Sequence, residues 1–376
     1  MNKKVLLTAT VQSHICQFHR PLAEVLHNYG YELHVAARDN LAEKNGLKLD
    51  FADKVYNIPF SRSPKSTDNI RAYKELKTII KNEHYDIIHC NTPMGSIVTR
   101  LAAKNSRKTG TKVFYTAHGF HFYNGASKKN WLVFYPIEKY MSRFCDKLIT
   151  VNEEDFELAK AKFSCSVDHI HGVGVSTDRY HSISNEEKTK RLSAEGLHGD
   201  DFTILCTGEL NQNKDQKTLI SAVARLKNKI PNIKVLLAGN GPLEQQLKAQ
   251  VSELGLCKQV KFLGYRTDLF RITPAVDLIV SCSHREGMPL NIIEAMLCKK
   301  VVIAAENRGH NELIENGKTG YLVKPGDVHT MAKKIYEVFV SKDESENMGN
   351  KGFEKAQAYT TCAVKKELVR IYDLEN

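Results

Sequence analysis

Two carboxylates eight residues apart, Glu286 and Glu294, frame the segment SHREGMPLNIIEAM at 283–296. Pro289 suits the first turn of a helix, where its missing N–H costs nothing. Glu286 is then expected in a loop, and Glu294 about a turn and a half into the helix. The backbone N–H groups of residues 287–291 gather at that helix N-terminus, which favours an anion. Gly287 has no side chain to keep a ligand from the backbone. The arrangement suits a diphosphate, with one carboxylate for hydroxyl groups on each side. The plain alternative is a surface loop in which Glu286 only favours the helix start.

Two further segments carry chemistry. In TGELNQNKDQ (207–216), Gly208 permits a tight turn and Lys214 offers a point charge for phosphate. In TAHGFHF (116–122), His118 can donate a hydrogen bond to a sugar hydroxyl or a leaving oxygen. His118 and His121 are conceivable metal ligands, but no third ligand stands near them in sequence, so no metal is expected. Glycine turns occur at AGNGP (238–242) and FLGY (262–265). No GxGxxG follows the first apolar run, and no GxxxxGK[ST] occurs. Nicotinamide binding and a P-loop are disfavoured.

These residues need elements to hold them. The apolar runs KVLLTAT (4–10), ELHVAAR (32–38), KVYNIP (54–59), DIIHCN (86–91), KVFYTAHG (112–119), KLITVN (147–152) and DHIHGVGV (168–175) read as strands. FTILCTG (202–208), KVLLAGNG (234–241), QVKFLGY (259–265), LIVSCS (278–283), VVIAAEN (301–307) and GYLVKP (320–325) repeat the rhythm. Helical stretches such as 69–82 and 96–104 lie between them. Near-continuous β-branched runs separated by helices indicate parallel strands buried on both faces. Two successive sets indicate two doubly wound α/β domains, with the boundary in the polar stretch 176–200. The expected division is 1–176, 177–355 and a C-terminal helical segment, 356–376, that crosses back onto the first domain. One last helix is expected over 354–373. Ligands of such sheets bind outside the carboxyl ends of the strands, so the site is expected in a cleft between the domains.

The 376 residues are 42% hydrophobic and 26% charged, which excludes a disordered chain, a collagen-like fibre or a coiled-coil rod. Nine scattered cysteines without CxxC spacing read as small apolar residues in a reducing cytosol. The N-terminal apolar run is too short for a signal peptide, and no run approaches the ~20 residues of a membrane span.

In this order, TAHGFHF, the G-x-L-x-x-x-K of Gly208, Leu210 and Lys214, AGNGPL, FLGY, EGMPLNIIEA and NELIENGKTGYLVKPGD (311–327) make the chain resemble family 4 glycosyltransferases. These are retaining enzymes of the GT-B fold: two Rossmann-like domains facing a central cleft. The H-G-F-H-F variant, with NWLVFYPIEKY after it, is most similar to bacterial capsule and exopolysaccharide transferases. The resemblance implies hexosyl transfer from a nucleotide diphosphate sugar, UDP by family base rate, to a polyprenyl-diphosphate-linked saccharide. No cofactor and no metal are implied. It implies catalytic roles for His118, Glu286 and Lys214. Donor contacts fall to Gly208, Gly264, Tyr265, Gly287, Met288, Pro289, Leu290 and Glu294, with Glu294 on the ribose. Weaker acceptor contacts fall to His14, Phe18 and His121. The pattern departs at Glu209, where many members carry arginine; Arg308 or Lys217 is the expected substitute. It departs again in TVQSHICQFH, which lacks the usual glycine-rich loop.

Net charge is +11, and residues 1–180 alone carry 26 Lys+Arg against 18 Asp+Glu. SKKNWLVFYPIEKYMSR (127–143) mixes those cations with aromatic residues, which suits an anionic leaflet. A cytoplasmic protein, peripheral at the inner membrane face, is expected; it should pellet with anionic liposomes and be released by salt. No nucleic-acid recognition module is visible. The rival readings are a sugar-nucleotide epimerase of the same fold, told apart by donor isomerisation without acceptor, and a non-catalytic regulatory subunit.

Overall fold

The computed structural model describes residues 3–43 and 47–375. They form two compact units. The chain up to Gly174 joins the chain from Thr361 onward, and Val175–Thr360 forms the other unit.

The first unit holds a seven-stranded sheet of β1 (Lys3–Val11), β2 (Tyr31–Arg38), β3 (Lys54–Asn57), β4 (Ile87–Asn91), β5 (Lys112–Ala117), β6 (Lys147–Thr150) and β7 (Ser166–His169). Its order is β3-β2-β1-β4-β5-β6-β7, and every pairing is parallel. The second unit holds β8 (Phe202–Thr207), β9 (Ile233–Ala238), β10 (Val260–Gly264), β11 (Leu278–Ser281), β12 (Val301–Ala305) and β13 (Tyr321–Val323). Its order is β10-β9-β8-β11-β12-β13, again parallel throughout. Each sheet therefore reverses its winding once, between β1 and β4 and between β8 and β11. Ligands of doubly wound sheets sit at the carboxyl side of such reversals.

Strand composition explains the layering. Alternate side chains of a strand point to opposite faces. In the second unit Ile204, Val235, Leu237, Val280 and Ile303 pack into one core, while Leu205, Leu236, Ile279, Val302 and Ala304 pack into the other. Both faces are covered, so neither can afford a polar stripe. In the first unit Leu6, Ala36, Ile88 and Val113 meet Leu76 and Ile80 of the helix Asp68–Glu83. All nine cysteines are free, and five are buried.

Three local readings of the sequence change. The polar stretch 176–200, read only as the place of the domain boundary, is structured. It carries the helix Asn185–Ala194, whose Leu192 enters the second core, and Lys188 pairs with Asp277. The single last helix expected over 354–373 is two helices, Lys342–Ala356 and Thr361–Ile371. Thr360 is extended between them and bridges Val175, and the Tyr359 carbonyl accepts a hydrogen bond from the Val175 N–H. The last strand of the first sheet stops at His169, well before Val175.

Candidate functional site

In the second unit, the segments after β8 and β11 meet. The His284 N–H donates to the Asn213 carbonyl at 2.8 Å, and Asn213 Nδ2 donates to the Arg285 carbonyl at 3.1 Å. This joins the lysine loop to the glutamate loop beside the β8/β11 reversal. Lys214 Nζ then reaches Glu286 Oε1 at 2.6 Å. Both side chains are mostly buried, at 24% and 16% exposure, so the pair is better shielded than a surface bridge. Its stem lies over Gly208: a Cβ there would come within 3.1 Å of Lys214 Cε.

The turns after β8, β9 and β10 are laced by their backbones. The Gly208 N–H donates to the Ala238 carbonyl, the Leu210 N–H to the Asn240 carbonyl and the Gly239 N–H to the Gly264 carbonyl, at 2.9, 3.0 and 2.8 Å. Gly239 sits at φ +148, and a Cβ on it would lie 2.0 Å from the Gly208 carbonyl oxygen. Only glycine admits that approach. The glycines of AGNGP thus set the height of the lysine loop. Tyr265 follows β10 and is exposed.

The helix after β11 begins at Leu290, so Pro289 is its N-cap rather than its first helical residue. The Ile292 N–H already donates to the Pro289 carbonyl at 3.1 Å. Met288 and Leu290 pack on the second core and fix the entry of the chain. Asn291 Nδ2 is buried without a hydrogen-bond partner among the described residues. Glu294, fifth in the helix, is half-buried, and desolvation lifts its carboxyl pKa from 4.5 to about 6. The Tyr180 hydroxyl and the Arg179 charge act the other way, favouring its anion. Sequence reading missed both residues, because it placed the domain boundary in the polar stretch that holds them. The signal available was the aromatic–basic pair in an otherwise polar stretch.

Glu209, at the position where arginine was anticipated, accepts from Asn211 Nδ2 at 3.0 Å. Of the anticipated substitutes, Lys217 is exposed and stands 3.9 Å from Asp215. Arg308 opens the helix Arg308–Leu313, whose Gly309 lies against the backbone of Glu286 and Gly287.

In the first unit, the helix Gln12–Phe18 starts directly after β1, which is why TVQSHICQFH needs no glycine. His118 follows β5. His14 Nε2 lies 3.2 Å from His118 Nε2, and Asn91 Oδ1, at the end of β4, lies 3.3 Å from the same atom. Phe18 packs beside both rings, with centroids 4.9 Å from His14 and 5.8 Å from His118. The group thus gathers at the β1/β4 reversal. Burial pushes the His118 imidazole down to about 4, so the ring is neutral. His121 is turned elsewhere: its ring lies 4.8 Å from Phe134. The expected trio of His14, Phe18 and His121 is therefore a pair. The neighbours of His118 are His14 and His19, which are distant in sequence.

Phe134 belongs to the helix Lys128–Met141, which shows Leu132, Val133, Phe134, Ile137 and Tyr140 to solvent. Glu138 faces inward, where it meets Arg100 at 3.0 Å. The exposed side is basic and apolar. No described helix is long and apolar enough to cross a membrane.

Residues 187–355 match the family model of glycosyl transferases group 1, and residues 4–152 match that of glycosyl transferase 4-like domains. The glycosyltransferase EpsD of Bacillus subtilis (strain 168) is 39% identical over 99% of this chain and 97% of its own. The UDP-Gal:alpha-D-GlcNAc-diphosphoundecaprenol alpha-1,3-galactosyltransferase of Escherichia coli is 27% identical over 84% of this chain and 82% of its own. Among solved structures, Anabaena Alr3699/HepE in complex with UDP and glucose has a TM-score of 0.80, with 22% identity and 99% of each chain covered. The fold is GT-B. A chain with these two domain matches and a whole-length relative of that identity belongs to the bacterial glycosyltransferases in which a 4-like domain precedes a group 1 domain.

Proposed function

We propose that this glycosyltransferase moves a hexosyl group from a UDP-sugar to a polyprenyl-diphosphate-linked saccharide, with retention of anomeric configuration, in exopolysaccharide or capsule synthesis. The observation that carries the proposal is the Lys214–Glu286 pair at the β8/β11 reversal, with half-buried Glu294 in the helix that follows. A phosphate needs a cation, a sugar needs an acceptor for its hydroxyls, and a ribose needs a second. The loop after β8 supplies the cation, and the segment after β11 supplies the two carboxylates.

The roles divide as follows. Lys214 and the helix N-terminus neutralise the leaving diphosphate. Glu286 accepts from donor-sugar hydroxyls, and Glu294 from the ribose. Gly208, Gly264, Tyr265, Gly287, Met288, Pro289 and Leu290 shape the donor site. His118, in the first unit, contacts the sugar near its anomeric carbon, and His14 with Phe18 contacts the acceptor. The departing diphosphate assists deprotonation of the acceptor hydroxyl on the same face, through an oxocarbenium-like transition state. Lys214 carries the charge that a divalent metal would otherwise carry. Similar proteins support the substrate classes: HepE is solved with UDP-glucose, and the Escherichia coli relative acts on a diphosphoundecaprenol saccharide. The basic, apolar side of the helix Lys128–Met141 holds the protein at an anionic cytoplasmic leaflet, where such acceptors reside.

The test is a screen of UDP- and GDP-sugars with an undecaprenyl-diphosphate-linked GlcNAc acceptor, in chelator. Free UDP, a product heavier by one hexosyl residue and a retained anomer are expected. An inverted product, isomerisation of the donor without acceptor, or strict need for a divalent ion would each refute part of the reading.

A further inference from the structure

Three histidines of the first unit, His14, His19 and His118, bring one ring nitrogen each within 4.8 Å of one another. They come from different elements: the helix Gln12–Phe18, the turn just after it, and the end of β5. The contact between His14 Nε2 and His118 Nε2 is 3.2 Å, and at most one proton can lie between two such nitrogens. Two imidazoles at zinc–nitrogen distances of about 2.0–2.1 Å in tetrahedral geometry place their nitrogens about 3.3–3.4 Å apart. The observed spacing is nearly that edge.

His19 adds an independent sign. It is 4% exposed, and its Nε2 has no hydrogen-bond partner among the described residues. A buried unsatisfied imidazole nitrogen costs stability, so something should repay it. A cavity of about 30 Å³ adjoins it, lined by Phe18, His19, His89 and His118 among others. That is room for one water, the usual fourth ligand of an open three-histidine site. No carboxylate belongs to the cluster, which excludes calcium and magnesium as its natural occupants.

We propose that His14, His19 and His118 form a binding site for a borderline transition-metal ion of the Zn²⁺ class, completed by one water. Occupancy ties up the His118 nitrogen. Resting on the transfer reading above, the ion is then an inhibitor that displaces His118 from the sugar, not a participant in transfer. Sequence alone pairs His118 with His121; the fold pairs it with His14 and His19.

The experiment uses full-length protein with the exposed Cys257 and Cys362 changed to serine, stripped with chelator and titrated with Co²⁺. Intense visible bands of four-coordinate cobalt at one equivalent, displaced by Zn²⁺, are expected. His14→Ala and His19→Ala should each weaken Co²⁺ binding about tenfold or more. His14→Gln serves if His19→Ala fails to fold, since His14 is less buried than His19. Absence of the bands, or unchanged binding in the variants that fold, overturns the site. Zn²⁺ at the binding equivalent should suppress UDP release, and the His19→Ala variant should resist it. Binding without suppression overturns the inhibitory role alone, and chelated wild-type protein reports separately on the transfer reading.

Discussion

The two sheet reversals hold chemically opposite sites. Beside β8/β11, Lys214 and Glu286 are charged, paired and drawn from loops that are themselves hydrogen-bonded together. Beside β1/β4, His14, His19 and His118 are neutral and held by packing and aromatic edges. A charged pair without a ligand is a stored substitute for one: each partner satisfies the other until phosphate and sugar arrive. Neutral imidazoles instead keep a lone pair available. The first arrangement suits stabilising a negative leaving group, the second suits hydrogen bonding or ligation at an uncharged centre.

The largest effect should come from removing charge where charge acts. Glu286→Gln and Lys214→Met should each lower kcat for transfer by roughly 10²–10³-fold, with the melting temperature little changed. Loss of the Lys214–Glu286 pair without loss of rate would mean that the pair only tethers two loops. The second effect concerns the backbone that carries the charge. Gly239→Ala puts a Cβ 2.0 Å from the Gly208 carbonyl, so the second unit should lose about 3 kcal/mol in denaturant unfolding. An unchanged midpoint would show the three turns to be separable.

The smallest effect is a pH dependence peculiar to the second unit. The folded carboxyl of Glu294 holds its proton more tightly than the unfolded one, with a pKa of about 6 against 4.5. Its contribution is therefore present below about pH 4.5 and is lost as pH rises through 6, a swing of roughly 2 kcal/mol. Glu294→Gln should flatten that part of the stability curve. Tyr180→Phe removes a group that favours the anion, so it should move the window upward. A nucleotide whose ribose hydroxyls donate to Glu294 should move it downward. A window that ignores all three would remove Glu294 from the site.

How much of this could be read beforehand follows from chain distance. Thirteen apolar runs identified the thirteen strands of the described residues: most are buried on both faces and advertise themselves by composition, whereas the edge strands β3 and β7 are exposed or half-buried and follow only from the rhythm. The site of the second unit was legible because Glu286 to Glu294 is one loop and one helix. The histidine cluster was not: His14, His19 and His118 lie more than a hundred residues apart at the extremes, and only sheet order makes them neighbours. Tyr180 was hidden for another reason. Its surroundings are polar, and a polar stretch reads as a domain boundary whether or not one aromatic ring folds inward. The break at Thr360 was equally silent, since neither glycine nor proline marks it.

The return of Thr361–Ile371 to the first unit has a consequence for synthesis. Tyr372 is buried, and its hydroxyl bonds His89 in β4, while Glu367 receives two hydrogen bonds from His171, through its backbone N–H and Nδ1. These partners leave the ribosome only after roughly 190 further residues have followed the first unit. At the usual 5–20 residues per second, that is a wait of roughly 10–40 s. During it the apolar bed for Val364 and Leu368 stands open, and the second unit has time to fold first. Vectorial translation thus makes the earliest-made domain the last to be finished.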